Sequence, residues 1–554
     1  MPKTLEKALL WMVLFSNKVY LSMAMSKVLF ITLFILFGSR TFAQKSYFFI
    51  HFKDKPGSKE FFEVTSRSSL RRTHQNLKFD YSDLSVDTSY INSISKVPDL
   101  RIILSSKWLN GVLINSENSS LKVISQLPFV NSVTFVSKNT KDGIGNSLLE
   151  YQSTSSFDYG NAGFQVQSLK ADKMHDMCLN GAGIYIAVFD GGFQNANQIQ
   201  SLAHIFQQNR LKFTYNIVEN QSDVFSRHVH GTNVLSCLAG YSPGKLIGTG
   251  FGSDFALIIT EDVKSEKKIE EYYWLKGAEM ADSLGVDIIS SSLGYYTFDD
   301  TSENHQLSEL DGKTTVITKA AAMAARKGIL VVNSAGNNYN VNSWRKIVFP
   351  CDADSILSVG AVDNNFSKSS FSAIGPSEDG RIKLEVSAFG SGVTINNSGN
   401  SFYSGSGTSY SAPLITGLAA GLWQSNRGLT NIQIRNAIIQ SSSLYLSPNN
   451  EIGYGIPDFE KAYNLLNSKF FTRCKEQTNS YDLYPNPVSD LLTIQSNNFS
   501  EGTEYYLFDL NGKEITNGII NVQSFAKLKL DFTYLGPGIY ILKIGDKQYK
   551  IVKI

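Results

Sequence analysis

The sequence predicts an α/β fold for residues 165–468, with a parallel β-sheet and helices on both of its faces. Five segments of this region are apolar almost throughout, which is typical of strands buried on both faces. They are "GIYIAVFD", "FALIITE", "VDIISSSLG", "GILVVNSAGN" and "ILSVGAVD". Amphipathic helical segments separate them, and this alternation favours parallel strands joined by crossover helices.

The length and charge of the chain limit the classes of function. A chain of 554 residues is expected to form two to four domains. Its 51 basic and 49 acidic residues give a formal net charge of +2, without a long block of one sign. We therefore expect no nucleic acid among its partners. No central segment is apolar over the length that a bilayer requires, so we expect no transmembrane span in the mature form.

Residues 1–43 have the pattern of a secretory signal peptide. Lys27 precedes the apolar run "VLFITLFILF". The small residue at the end of "TFA" then predicts that the signal peptide is cleaved after Ala43. A run of this length is too short to cross the hydrocarbon core, which argues against a membrane anchor. Because the leader is unusually long, translation that begins at Met23 or Met25 stays open as an alternative.

Export places the four cysteines in an oxidising compartment, where Cys178, Cys237, Cys351 and Cys474 can pair in three ways. The sequence does not choose among these pairings. Cys237 and Cys351 lie among apolar and small residues, and we favour buried free thiols for both. No C-x-x-C occurs, which argues against a zinc site built from cysteines.

The region before the parallel sheet predicts a small α+β domain and a connection. Residues 44–140 alternate strand-like runs such as "SYFFIHF" and "VNSVTFVS" with a short helical segment that ends at "LKVISQLP". Residues 141–164 are polar, contain Gly and Ser and have no clear periodicity. We interpret them as a linker or processing region.

The last segment, residues 475–554, predicts an antiparallel β-sandwich. Leu528 and Leu530 alternate with Lys527 and Lys529, which is the period of a strand with one buried face. The turn signals "NG" and "GPG" interrupt the strand-like runs. This pattern differs from that of the parallel sheet and indicates a separate domain.

Three residue types that act together in catalysis occur where predicted strands end or helices begin. Asp190 closes the strand "IYIAVFD", His230 begins "HGTNVLSCLAG", and Ser409 lies in "GTSYSAP" before an apolar helix. Reacting groups collect at the carboxyl edge of an open parallel sheet. An acid, a base and a hydroxyl in this chain order are the parts of an Asp-His-Ser triad.

The motifs "VFDGG", "HGTNV" and "GTSYSAP" resemble the three catalytic motifs of the subtilisin-like serine proteases, and "NSAGNN" resembles their oxyanion-hole motif. The resemblance covers residues 165–468, which is more than half of the chain. The Asp motif reads D-G-G, where many relatives have a hydroxyl residue after Asp.

The resemblance implies a role for each matching residue. Ser409 is the implied nucleophile, His230 the general base, and Asp190 the group that orients the imidazole. Asn337 is the implied side-chain donor of the oxyanion hole. The segment "SSLG" resembles the strand that pairs with extended substrate and assigns substrate binding to Ser292, Leu293 and Gly294.

The flanking regions resemble known domains as well. The segments "YFFIHFKDKPG" and "ISQLPFVNSVTFV" within residues 46–140 resemble the propeptide of subtilisin-like zymogens. The segments "YPNPVSDLLTI", "LGPGIYILKI" and "KQYKIVKI" within residues 475–554 resemble the C-terminal sorting domain of the type IX secretion system. Together these resemblances imply a serine endopeptidase that acts through an acyl-enzyme, is made as a zymogen, and is secreted or held at the cell surface. Its expected partners are protein or peptide substrates and the type IX secretion machinery.

Two alternatives involve metal ions. His228 and His230 form an H-x-H, but no carboxylate or third histidine is near in sequence, so we favour a surface or supporting role for His228. We expect no required cofactor. Bound calcium at the acidic segment after Phe298 stays open, although we favour a solvated loop. The oxygen ligands that this segment offers are those of Asp299, Asp300, Glu303, Glu309 and Asp311.

Overall fold

The structure is a computed structural model that describes residues 45–56, 65–138, 157–474, 482–496, 503–509, 512–520, 526–544 and 547–554. The predicted signal peptide, residues 141–156 of the predicted linker and the side chain of Cys474 lie outside this description. The chain divides into two compact units, Met1–Ala462 and Tyr463–Ile554.

The first unit includes the predicted α+β domain, which has a four-stranded antiparallel sheet and three helices where the sequence predicts one helical segment. Its strands have the order β2-β3-β1-β4. They are β1 (Ser46–Phe52), β2 (Arg101–Ser106), β3 (Gly111–Ser116) and β4 (Val130–Lys138). The helices are α1 (Ser66–His74), α2 (Thr88–Ser95) and α3 (Asn118–Ile124). We call this part of the chain the N-terminal α+β domain.

A seven-stranded sheet forms the centre of the same unit, and all of its described strand pairs are parallel. Its strands are β5 (Tyr185–Asp190), β6 (Leu211–Asn216), β9 (Asp254–Ile259), β10 (Ile288–Ser291), β11 (Leu330–Ser334), β12 (Leu357–Val362) and β13 (Val386–Phe389), in the order β13-β12-β11-β10-β5-β9-β6. Two small hairpins accompany it: β7 (Tyr241–Ser242) with β8 (Leu246–Ile247), and β14 (Ser391–Asn396) with β15 (Phe402–Ser406).

Helices cover both faces of the parallel sheet, which confirms the predicted α/β class. Tyr185, Ala187 and Phe189 of β5 share one hydrophobic core with the helices on the first face. Ile186 and Val188 point the other way and are also fully buried. The helices of the first unit are α4 (Gly163–Gln167), α5 (Ala171–Asp176), α6 (Ala203–Gln207), α7 (His230–Ala239), α8 (Glu270–Leu284), α9 (Val316–Arg326), α10 (Thr408–Ser425) and α11 (Asn431–Ser441). Helix α12 (Phe459–Cys474) begins in the first unit and ends in the second.

Helix α9 shows how local sequence sets these boundaries. The Thr315 side chain accepts a hydrogen bond from Thr318 N and caps the first turn. Arg326 lies in the last turn, where a cation favours the helix dipole. Gly328 then has a φ of +86°, a left-handed conformation that glycine adopts without strain. The chain turns there directly into β11.

The second unit is the predicted antiparallel β-sandwich. Its two sheets have the orders β16-β17-β20 and β19-β18-β21-β22. The strands are β16 (Asp482–Tyr484), β17 (Leu491–Ser496), β18 (Thr503–Asp509), β19 (Glu514–Ile520), β20 (Ala526–Asp531), β21 (Gly538–Ile544) and β22 (Lys547–Lys553). Side chains from both sheets, among them Leu492 and Leu542, form one core.

Buried charges join the N-terminal α+β domain to helix α8. Arg71 Nη2 lies 2.5 Å from Asp282 Oδ1, and Arg72 Nη2 lies 2.8 Å from Asp282 Oδ2. Arg72 also donates two hydrogen bonds to Asp83, at 2.9 and 2.8 Å. Because none of these side chains is more than 2% exposed, the contact is a closed charge network inside the protein.

The structure also bears on the predictions for the cysteines, the linker and a membrane span. The cysteines whose side chains are described are free, and Cys237 and Cys351 are buried as predicted. Residues 157–164 fall in the predicted linker, yet they belong to the folded first unit, where Tyr159 is fully buried and lies 2.7 Å from His175 Nδ1. Within the described ranges, no helix is both long and apolar enough to cross a membrane.

Candidate active site

Asp190 is the last residue of β5 and is fully buried at the carboxyl edge of the sheet. Its Oδ1 accepts a hydrogen bond from Gly191 N at 2.8 Å. A charged carboxylate at such a depth requires a strong partner, because burial disfavours an unpaired charge. The second partner of Asp190 is His230.

His230 begins helix α7, and its Nδ1 lies 3.0 Å from both Oδ1 and Oδ2 of Asp190. Gly231 permits this approach, since a Cβ there would lie 2.8 Å from the Cβ of Asp190 and 2.4 Å from Gly192 O. Burial favours the neutral ring, but the charge and hydrogen bond of Asp190 outweigh it and raise the pKa of His230 above 6.5. The ring is thus held by one nitrogen and has the other available as a base.

Ser409 is the second residue of α10 and is 8% exposed. Its Oγ donates to Ser292 O at 3.4 Å, and Ser292 Oγ donates to Ser409 O at 2.9 Å. Within the described residues, Ser409 makes no hydrogen bond to His230. Catalytic hydrogen bonds in unliganded sites are often long or poorly aligned and tighten only when substrate is bound.

Asn337 is exposed at the cleft, and its side chain is fixed by α10. Its Oδ1 accepts hydrogen bonds from Thr408 N at 2.9 Å and Thr408 Oγ1 at 3.0 Å. The two acceptor contacts leave the amide hydrogens to a ligand. Gly336 precedes it with a φ of +108°, and a Cβ there would lie 2.4 Å from Asn338 Oδ1. The turn therefore requires glycine.

The segment Ser292, Leu293 and Gly294 follows β10 directly and lines the same cleft. Leu293 O accepts a hydrogen bond from Asn333 Nδ2 at 2.9 Å, which ties the segment to the end of β11. The cleft has a volume of about 450 Å³. It brings all seven residues that the sequence singles out for catalysis or substrate binding to one place. They are Asp190, His230, Ser292, Leu293, Gly294, Asn337 and Ser409.

The cleft also contains two carboxylates that sequence reasoning missed. Glu261 and Glu266 line it from the segment after β9. Burial and then the charge of Asp190 raise the pKa of Glu261 to about 7, and burial and then Glu261 raise that of Glu266 to about 8. The signal in the sequence is the run "TEDVKSEKKIEE" after an apolar strand, but alternating charges there are also typical of a solvated loop.

The residues considered for metals have other contacts. His228 is exposed at the cleft, and its Nδ1 accepts a hydrogen bond from His230 N at 3.3 Å, which fits the supporting role favoured above. The candidate calcium ligands each accept protein hydrogen bonds. The donors are Glu266 N for Asp299, Ser302 N for Asp300, Lys138 N for Glu303, Gln306 N for Glu309 and Lys313 N for Asp311. In the described part of the chain, no three potential ligands group as a metal site would need.

Proteins similar to this chain include subtilisins and an alkaline protease. Subtilisin DY of Bacillus licheniformis is 27% identical over 301 residues, which cover 54% of this chain and 97% of that protein. Subtilisin NAT of Bacillus subtilis subsp. natto is 25% identical over 362 residues, or 64% of this chain and 81% of the relative. A thermostable alkaline protease of Halalkalibacterium halodurans is 25% identical over 284 residues, which cover 51% of this chain and 68% of that protein.

The subtilase family model matches residues 181–455, the range that holds the cleft and every one of its catalytic-type residues. The chain belongs to the subtilase family. This subtilase is therefore a serine peptidase, a hydrolase of the subtilisin-like class. The resemblance that the motifs suggested is confirmed.

The rest of this subtilase matches two further family models. Residues 47–151 match the peptidase S8 propeptide domain of Bacteroidota, which covers the N-terminal α+β domain. Residues 482–554 match the secretion system C-terminal sorting domain, which covers the β-sandwich. The chain is thus a precursor with a propeptide, and its sorting domain indicates secretion or export to the cell surface.

Proposed function

We propose that Asp190, His230 and Ser409 are the catalytic triad of a secreted endopeptidase that forms an acyl-enzyme. The observation that carries the proposal is the placement of His230 Nδ1 at 3.0 Å from both oxygens of the buried Asp190, in the cleft that Ser409 also lines. Such an arrangement fixes the tautomer of the imidazole and leaves Nε2 as the base.

In the first step His230 Nε2 takes the proton of Ser409 Oγ as Oγ attacks the carbonyl carbon of the scissile peptide. The Asp190 carboxylate stabilises the imidazolium that forms, as its effect on the pKa of His230 supports. The imidazolium then gives its proton to the leaving amine, and the acyl group stays on Ser409. Water attacks the ester through the same base and releases the second product.

Negative charge develops on the carbonyl oxygen during both attacks. Ser409 lies in the first turn of α10, where backbone N–H groups have no partner within the helix. We assign the Ser409 N–H and the Asn337 side-chain amide as the donors of the oxyanion hole. Support comes from the two hydrogen bonds of Thr408 to Asn337 Oδ1, which hold the amide group before substrate arrives.

An extended substrate would lie beside Ser292, Leu293 and Gly294 and bind through its main chain. Because main-chain hydrogen bonds provide this binding, it depends little on the substrate side chains, and most subsites should accept many residue types. No cofactor is required for these steps, because the base, the nucleophile and the oxyanion donors are all groups of the protein.

The N-terminal α+β domain would keep the precursor inactive. It ends its described part at Lys138, whose N–H donates to Glu303 Oε1 at 2.8 Å. We propose that the chain beyond this point enters the cleft as a product-like inhibitor, at the high effective concentration of a tethered segment. Cleavage between about Thr140 and Tyr159 by Ser409 would then begin maturation, and the type IX machinery would export the protein by its sorting domain.

Purification of the Ser409→Ala protein tests this function. Wild type should lose its N-terminal domain, and Ser409→Ala should retain it. Ser425→Ala, at the other end of the same helix, is the matched control and should mature normally. The same new N-terminus in Ser409→Ala, in a preparation free of other proteases, would contradict self-processing. Failure of wild type to cleave any peptide would contradict the enzymatic role of the triad.

Removal of residues 475–554 tests the export route separately. The described part of the sandwich has its own core, and the residues that line the cleft all belong to the first unit. The shortened protein should therefore retain peptidase activity and no longer reach the medium. Activity outside the cells at the level of the full chain would contradict the role assigned to the sorting domain.

A further inference from the structure

The pairing between strands β10 and β11 ends beside the cleft. Ser291 and Asn333 are the last residues that pair between these strands. Beyond them the chain after β10 continues as residues 292–294, which we call the 292–294 segment, and β11 leads into the loop that carries Asn337. Buried backbone groups beyond the last pair need other partners, because an unpaired polar group inside a protein is costly.

The side-chain amide of Asn333 provides such a partner for two carbonyl groups. Its Nδ2 donates to Leu293 O at 2.9 Å and to Ser334 O at 2.9 Å, one carbonyl from each of the two chain segments. An amide nitrogen carries two hydrogens, so it can donate to both. Asn333 is fully buried, and the two bonds are shielded from water. The amide thus bridges the segments at the point where their backbones no longer pair.

The same side chain also has an unfavourable feature. Asn333 Oδ1 has no hydrogen-bond partner among the described residues. A buried acceptor without a partner destabilises the folded protein, and a leucine, which has the same branched outline, would avoid that penalty. Stability of the strand therefore does not explain an asparagine here. The advantage of asparagine over leucine at this position is its two donated hydrogen bonds.

The direction of the Leu293 carbonyl determines which groups of the 292–294 segment face the cleft. The preceding carbonyl, Ser292 O, has its contact in a different direction, since it accepts a hydrogen bond from Ser409 Oγ at 3.4 Å. Successive carbonyls of an extended chain point to opposite sides. A Leu293 carbonyl held toward β11 therefore leaves Ser292 O and the backbone of Gly294 directed toward the cleft. Backbone groups of this kind pair with an added peptide strand.

The two ends of the segment are fixed by backbone contacts, and Asn333 holds its middle. Tyr295 N donates to Phe349 O at 3.0 Å, and Phe349 N donates to Tyr295 O at 3.1 Å. Ser334 O also accepts a hydrogen bond from Cys351 Sγ at 3.2 Å. Within the described part of the chain, Leu293 O has no donor besides Asn333. Loss of the amide would therefore affect the 292–294 segment more than the loop after β11.

We propose that Asn333 is a positioning residue for extended substrates. Its amide holds Leu293 O and so sets the edge of the 292–294 segment that pairs with the substrate main chain. The inference rests on the proposed function, in which this segment binds the peptide. Because Asn333 acts through the alignment of the segment, its effect should grow with the number of substrate residues that lie beside it.

Two substrates with the same scissile residue and the same leaving group test this role. One is a blocked single amino acid, which does not extend along the 292–294 segment, and the other is a blocked tetrapeptide, which does. The ratio of their kcat/KM values, which we call the length preference, measures the main-chain pairing. Active sites are counted with a serine-directed fluorophosphonate, so both rates refer to mature enzyme. Wild type should prefer the tetrapeptide.

Asn333→Leu removes both donated hydrogen bonds and retains the branched outline. Its length preference should fall on the order of 10-fold, the size of one or two lost hydrogen bonds. Turnover of the single amino acid substrate should stay near wild type, because Cys351 still donates to Ser334 O. Asn396→Leu is the matched control, since Asn396 is also a fully buried strand asparagine with an unpartnered Oδ1 and lies outside the cleft. It should retain the wild-type length preference.

The possible failures are distinguishable. An equal loss on both substrates in Asn333→Leu, or an unchanged length preference, would overturn the positioning role. Asn333→Ala, which also removes the amide, gives a second test if the leucine variant folds poorly. Wild type without a length preference would contradict the assignment of the 292–294 segment to substrate binding, and the inference would be wrong with it. An absence of labelling at Ser409 would contradict the proposed triad itself.

Discussion

Asp190 and Asp282 are both fully buried aspartates, and each contacts a side chain that can carry positive charge. Their surroundings differ. Asp282 contacts Arg71 and Arg72, whose side chains are each 2% exposed, so its charge is paired inside the protein. Asp190 meets His230, whose side chain is 28% exposed toward the cleft.

Two differences separate the Asp190 site from the Asp282 site: the side chain that pairs with the aspartate, and the access of that side chain to the cleft. Arginine does not lose its proton in proteins, so the Asp282 pair can only bind. Histidine gains and loses a proton near neutral pH, so the Asp190 pair can move one. We therefore expect changes at Asp190, His230 and their neighbours to alter turnover, and changes at Asp282 to alter attachment of the N-terminal α+β domain.

The largest effect should come from the pair that moves the proton. Ser409→Ala and His230→Ala should each lower kcat on the order of 10⁶-fold, a size taken from subtilisin, a relative of this chain. Because the two groups act as one unit, the double variant should be little worse than either single variant. Kinetics on one peptide measures this. Losses that add would show that a different pair carries out the attack.

Asp282→Asn should weaken attachment of the N-terminal α+β domain by about 3 kcal/mol, because the buried Arg71 loses its carboxylate partner and Arg72 retains only Asp83. The free energy of unfolding of the precursor measures this, in a Ser409→Ala background that prevents processing. Turnover by mature Asp282→Asn enzyme should stay near wild type. Asp176→Asn, which breaks a surface pair with Lys173, is the control and should change stability little. A precursor as stable as wild type would show that the closed network contributes no stability.

Asn337→Ala should lower kcat about 10²- to 10³-fold and leave KM nearly unchanged, because the amide acts on charge that exists only in the transition state. This range is that of the corresponding donor in subtilisin and is carried over from it. Asn342→Ala, at an exposed position on the following loop, is a suitable control. A variant with wild-type kcat would remove Asn337 from the oxyanion hole and leave the triad intact.

The smallest expected effect concerns pH. In the proposed mechanism the neutral form of His230 is the base, and its pKa is raised above 6.5, so kcat/KM should be lost as the pH falls through an apparent pKa above 6.5. Glu261 adds to this rise. Glu261→Gln should therefore move the acid limb to lower pH, by less than about one unit. A limb that moves to higher pH in this variant would contradict the electrostatic account of the cleft.

Local sequence predicted much of the fold and the site for a physical reason. The pattern of apolar residues along each strand and helix reflects which side chains are buried. The ends of the strands and helices, where Asp190, His230 and Ser409 lie, can therefore be predicted from that pattern. The need for Gly231 beside Asp190 is an effect of packing that becomes visible only in three dimensions.

The contacts that sequence did not predict join residues that are far apart in the chain. Arg71 and Asp282 are separated by 211 positions, and the residues around each of them do not indicate that the two side chains form a pair. Glu303 was expected in a solvated acidic loop, yet it is 5% exposed and binds the backbone of Lys138. Whether a carboxylate is solvated, paired or left open to a ligand depends on such distant partners.

Reaction with a fluorophosphonate, followed by mass spectrometry of the digested protein, tests the triad most directly. The mature enzyme should carry one adduct, on Ser409, and should lose all peptidase activity as the adduct forms. His230→Ala should react far more slowly, because no base then removes the proton from Oγ. An enzyme that still cleaves peptides with Ser409 fully modified, or that carries its adduct on another residue, would contradict the account.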